Sequence, residues 1–144
     1  NGFFALSEMT IVTSRKSRLK QQAETSKTAA AALKLAEHPE TFLSAVQIGI
    51  TLVGVLTGVF GGEAIGDRIA VGLAGIEWLG PYAEPIGLGI AVLLITVVTI
   101  VLGELIPKRL ALVAPERIAV VVAVPMRLFA RLTHPLVFVL SFLT

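Results

Sequence analysis

Two stretches of the sequence carry no charged residue over the length of a bilayer core: residues 41–60, TFLSAVQIGITLVGVLTGVF, and residues 85–103, PIGLGIAVLLITVVTIVLG. A helix rises ~1.5 Å per residue and needs ~20 apolar residues to cross ~30 Å of hydrocarbon. Both windows therefore predict transmembrane helices, and the class read from them is an all-α membrane protein. Composition agrees. Of the residues, 55% are hydrophobic and 15% charged, and the mean hydropathy of +0.86 is too high for an ordinary soluble domain. The absence of cysteine excludes disulfides and thiolate metal sites.

Charge placement sets the predicted topology. Lys and Arg occupy positions 15, 16, 18, 20, 27 and 34 before the first window and 108, 109, 117, 127 and 131 after the second, with only Arg68 between. By the positive-inside rule both flanks face the cytoplasm and the 61–84 connection, with Glu63, Asp67, Glu77 and Glu84, faces out. The opening NGFFALSEMTIV is apolar too, but Arg15 follows after 14 residues, roughly 21 Å of helix. It reads as the inner end of an outside-to-inside helix. The expectation is one transmembrane domain over residues 1–144 that lacks the upstream half of its first helix. A signal peptide is disfavoured, because the basic residues follow the apolar run.

The remaining segments read as cytoplasm-side helices. TSKTAAAALKLAEHPE, residues 25–40, is Ala-rich and predicts an amphipathic helix that ends before Pro39. After Pro115, Glu116, Arg127, Arg131 and His134 recur at helical spacing. That stripe predicts an interfacial belt helix, interrupted at Pro125, in preference to a further span. The fold expected is three transmembrane helices, the first truncated, plus the belt.

Glu104 is the residue that asks for a function. It ends an apolar run, and an ionisable group at membrane depth is costly enough to be read as functional by default. The plainer alternative is an interfacial ion pair with Lys108 at i+4. Pro107 tips the balance: it supplies no N–H to the carbonyl of residue 103, so Gly103 is expected to offer a free oxygen beside the carboxylate. Counting inward from the cytoplasmic markers puts Ser7, Glu8, Ser44 and Glu104 at similar depth, which predicts three helices converging on one pocket. Ser44, Gln47 and Thr51 share one helix face. A Ser or Thr in a membrane helix often bonds back to its own i−4 carbonyl instead. Oxygen donors without Cys or His suit Mg²⁺, Ca²⁺, Mn²⁺ or Na⁺ over zinc or copper. His38 and His134 read as surface residues, and Gly54, Gly58 and Gly62 as a ridge for close helix approach in the bundle or across a dimer.

NGFFALSEMTIVTSRKSRL, LSAVQIGITLVGVLTGVFGG and GELIPKRLALVAPE together resemble the transmembrane domain of the CNNM/CorC (cyclin M) family, also described as hemolysin-related. The resemblance runs along essentially the whole chain. Its most specific element is an S-E motif closing the first helix paired with G-E-x-x-P-K closing the third. It implies a homodimer in a cell membrane, a bacterial inner membrane being the expected one, and Mg²⁺ export coupled to Na⁺ entry. It also implies CBS domains, which bind adenine nucleotide, on the cytoplasmic side of the full-length chain. The cation ligands it implies fall on Ser7, Glu8, Ser44, Gly103 and Glu104. One departure stands out. Where many members carry asparagines on the second helix, this chain has Ile50 and Gly54, leaving Gln47 and Thr51 as substitutes.

The leading expectation is thus a divalent-cation transporter domain working by alternating access. Its rival is a non-transporting membrane anchor and dimerisation module for cytoplasmic regulatory domains. No phosphate loop, nucleophile elbow or zinc-hydrolase motif points to an enzyme. The partners expected are the lipid bilayer, a second copy and the CBS domains, with no nucleic acid.

Overall fold

A computed structural model describes residues 1–143, with side chains through Val139 and at Phe142. The described chain is helical without strands: α1 (Gly2–Thr13), α2 (Lys16–Ala23), α3 (Lys27–Glu37), α4 (Pro39–Ala74), a 3₁₀ turn (Gly80–Tyr82), α5 (Ala83–Ile100), a π-helical turn (Val101–Leu105), α6 (Ile106–Val113) and α7 (Pro115–Leu143).

Prolines write two of the boundaries. The residue before a proline is pushed out of the α region, and His38 (φ −119°, ψ 65°) and Ala114 (φ −148°, ψ 66°) both break the chain there. Pro39 and Pro115 then open α4 and α7, at the position where a missing N–H costs nothing. α3 starts at Ser26, whose Oγ accepts the Ala29 N–H at 3.3 Å, a side-chain N-cap. Pro125 does not interrupt α7 as its sequence suggests. The helix runs through Pro125 and Pro135, each removing one backbone donor without ending it.

Three helical stretches are long and apolar enough to cross a membrane: α4 with 36 residues, the run from Gly80 to Val113 with 34, and Pro115–Val139 with 25. α1, at 12 residues, is apolar but shorter than a span. Length is the only criterion on which α7 outranks α1. Around α7, at about 100° per residue, Ala119, Val122, Ala123 and Met126 are buried, Arg127, Arg131 and His134 are exposed beside them, and Val121, Leu128 and Leu132 face outward. α7 thus carries the charge stripe expected of an interfacial helix and also has the length and apolar content of a span.

The packing falls into two regions. On the side predicted to be cytoplasmic, Ile11, Leu19, Leu35, Phe42, Val46 and Met126, with alanines of α3 and α7, form one buried core joining α1, α2, α3, α7 and the start of α4. α3 is therefore a packed helix, with Ala29, Ala31, Ala32, Leu35 and Ala36 all buried. The second region is the antiparallel α4–α5 hairpin. Helix α4 would span ~54 Å, and its last turns carry Glu63, Asp67 and Arg68, so most of the expected 61–84 connection is helix. The hairpin closes on small residues at four-residue spacing, Gly62, Gly66 and Ala70 against Ala83, Gly87 and Ala91, all buried. A Cβ on Gly87 would lie 2.7 Å from the Gly66 carbonyl oxygen; backbones touch here, as in small-xxx-small membrane packing. Of the predicted glycine ridge, Gly62 is used in this way, whereas Gly58 faces open space.

Candidate cation site

The site is built where α1 meets the π turn. Ile106 N–H donates to Val101 O, five residues back. Leu102 O thereby loses its i+4 donor, and the next residue, Pro107, has no N–H. Leu102 O thus joins Gly103 O, whose i+4 residue is Pro107, as a carbonyl without its α-helical donor. Two glycines let the backbones close up. A Cβ on Gly103 would meet Asn1 Cβ at 3.2 Å, and one on Gly2 would meet Pro107 Cγ at 3.2 Å and Leu102 O at 3.3 Å.

Between these elements lies a cavity of about 230 Å³ lined by Asn1, Ala5 and Glu8 of the first segment, Gln47 and Ile50 of α4, and Thr99, Gly103, Glu104 and Lys108. Lys108 Nζ is 2.8 Å from Glu104 Oε1 and 3.8 Å from Glu8 Oε2. The i+4 pair foreseen from sequence therefore forms, and a carboxylate from another helix joins it. The side chains of Glu8, Glu104 and Lys108 remain 31%, 54% and 35% exposed, so the cluster is open on one side. Asn1 Oδ1 lines the same cavity, buried and without a hydrogen-bond partner among the described residues.

Of the five predicted ligands, Glu8, Gly103 and Glu104 line this cavity. Ser7 does not. It is fully buried and its Oγ donates to Phe3 O at 2.8 Å, the back-bonding alternative. Ser44 Oγ likewise donates to Glu40 O at 2.9 Å, and the residue lines an adjoining, largely apolar cavity of about 860 Å³ together with Glu8, Gln47 and Thr51. Glu8 and Gln47 thus stand between the two cavities. Asn1, Thr99 and Lys108 were not among the predicted ligands. The signal for Thr99 was available, because it stands four residues before Gly103 on the same helix face. His38 lies near Glu40 and His134 near Arg127 and Arg131, both away from the cavity. No cluster of three or more His, Cys, Asp or Glu occurs among the described residues.

The cyclin M transmembrane N-terminal domain family, CNNM, matches residues 1–144. The chain belongs to this family. As a cyclin M domain it is 51% identical over 142 residues to a UPF0053 protein of Synechocystis sp., covering 98% of this chain and 32% of that protein. A UPF0053 protein of Bacillus subtilis is 35% identical, covering 96% of this chain and 30% of its own length. The polyamine export protein of Salmonella typhimurium is 32% identical over 142 residues, covering 98% and 32%. The chain thus spans about a third of the length of these curated relatives.

Proposed function

We propose that this domain is the membrane part of a cation exporter and that its cargo is held in the cavity between Glu8 and Glu104. The observation that carries the reading is that two carboxylates from separate helices converge on a polar cavity inside a multi-pass membrane fold. Ionisable residues on membrane helices are rare and mark an ion path by default. Mg²⁺, driven out by Na⁺ entry, is the inorganic cargo proposed. The donors are all oxygens: two carboxylates, the amides of Asn1 and Gln47 and the hydroxyl of Thr99. Mg²⁺ keeps several waters and takes one or two carboxylates. A cavity of about 230 Å³ has room for about seven waters at ~30 Å³ each, so a partly hydrated ion fits. Alternating access would come from α1 and the π turn moving relative to α4. The proposed assembly is a homodimer carrying cytoplasmic CBS domains, with the exposed face of α4, Leu52, Val55, Leu56 and Val59 beside open Gly58, as the face between copies.

A second reading, polyamine cargo, is favoured by one feature of the geometry. The group lying between the carboxylates is a primary ammonium, that of Lys108, the same chemistry that ends a polyamine. Relatives named polyamine export protein cover nearly all of this chain.

Flux into vesicles containing the full-length protein tests both. Glu104→Gln and Glu8→Gln should each lower transport by about tenfold or more, the scale of a lost charge-assisted contact. Mg²⁺ and spermidine, supplied separately, identify the cargo. Flux absent in wild type, with no cation raising its melting temperature, would instead favour the anchor reading.

A further inference from the structure

We propose that Lys108 is a tethered monovalent cation that makes the Glu8–Glu104 cavity selective for multivalent cargo. The inference rests on the cation-export reading of this domain. Among the described residues this is the one place where an ion pair links separate helices, since the His38–Glu40 contact is local. Glu104 and Lys108 face each other at i, i+4, while Glu8 arrives from α1 and lies 3.8 Å from the same Nζ.

Ammonium and cargo cannot share this position. A directly bound Mg²⁺ sits ~2.0–2.1 Å from a carboxylate oxygen, and Lys108 Nζ already stands 2.8 Å from Glu104 Oε1. Two cations so close repel, the more strongly the less water lies between them. Lys108 can yield, because its side chain is 35% exposed and its four-carbon stem is flexible.

Charge number then decides what displaces it. Two carboxylates and one ammonium sum to −1. A monovalent ion replacing the ammonium leaves that sum unchanged, and it must compete with a group held at an effective concentration of roughly millimolar or above. A divalent ion brings the sum to zero. So does a linear diammonium, which makes the argument hold for either cargo. The coupling Na⁺ is, on this account, held apart from the pair.

The test titrates Mg²⁺, spermidine and Na⁺ against detergent-purified full-length protein at constant ionic strength, reading melting temperature. Wild type should be stabilised by a multivalent cation and not by Na⁺. Lys108→Gln should gain Na⁺ stabilisation and bind Mg²⁺ or spermidine roughly fivefold tighter, as removal of a partly exposed ion-pair competitor implies. Lys108→Arg should keep the wild-type discrimination. If Lys108→Gln binds multivalent cations more weakly, or still ignores Na⁺, the proposal is overturned. Glu104→Gln separates the two ideas: unchanged multivalent binding there removes the site itself, whereas binding lost there but unaltered by Lys108→Gln removes only the role of Lys108. Amine acylation of wild type supplies a readout that needs no variant. Modification of Lys108, tracked by mass spectrometry, should rise with the stabilising multivalent cation and not with Na⁺. No rise would also overturn the proposal.

Discussion

Glu104 acquires its setting from neighbours that have no charge to offer. Gly2 and Gly103 let α1 approach the π turn to within contact of backbone atoms, with a Cβ on Gly103 reaching Asn1 at 3.2 Å. Gly49 plays a comparable part for the packing beneath. A Cβ there would lie 2.6 Å from the Phe4 ring, and that ring is held by Phe129, with centroids 4.9 Å apart. Gly49→Val should therefore destabilise the domain by ~1–3 kcal/mol, the usual cost of overpacking, read as a lowered melting temperature in detergent. The family resemblance draws notice to the next residue, Ile50, where an asparagine is missing, and assigns nothing to Gly49. The structure assigns it a steric role.

Among the elements, Pro107 and the π turn form one device. The proline withholds a donor, the turn takes up an extra residue, and Glu104 is placed on the side of the helix that meets α1. Pro107→Ala restores the donor and lets residues 101–105 relax toward α-helix. Removing one residue from the turn rotates α5 by about 100° relative to α6. The expected outcome is a split: melting temperature unchanged or raised, with affinity for Mg²⁺ or spermidine reduced ~10-fold or more, as for loss of a supporting group around an ion. The proline kink itself was legible in the sequence. Its form was not, because a missing N–H is compatible with an α kink or a π turn.

The described domain is a packed, basic layer, on the side that the positive-inside rule predicts to be cytoplasmic, from which a narrow hairpin of α4 and α5 projects. Surface charge makes that orientation testable. The chain has no cysteine, so single cysteines introduce no competing thiol. In right-side-out vesicles, an impermeant maleimide should label Trp78→Cys, in the exposed turn between α4 and α5, and should leave Thr25→Cys unlabelled. Reversed labelling would invert the topology drawn from the positive-inside rule.

The features legible in the linear chain were local and one-dimensional. Uncharged length marked α4 and α5, dipeptides ending in proline marked the breaks at His38 and Ala114, and a carboxylate beside Gly103 and Pro107 marked the place to look. Which polar groups meet was settled by helix packing. Counting residues gives depth along a helix, but each residue also turns ~100° about the axis, and contacts with neighbouring helices set that angle. Hence Ser7 turns inward to Phe3 O, Ser44 opens on the adjoining cavity, and Asn1, Thr99 and Lys108 join Glu8 and Glu104.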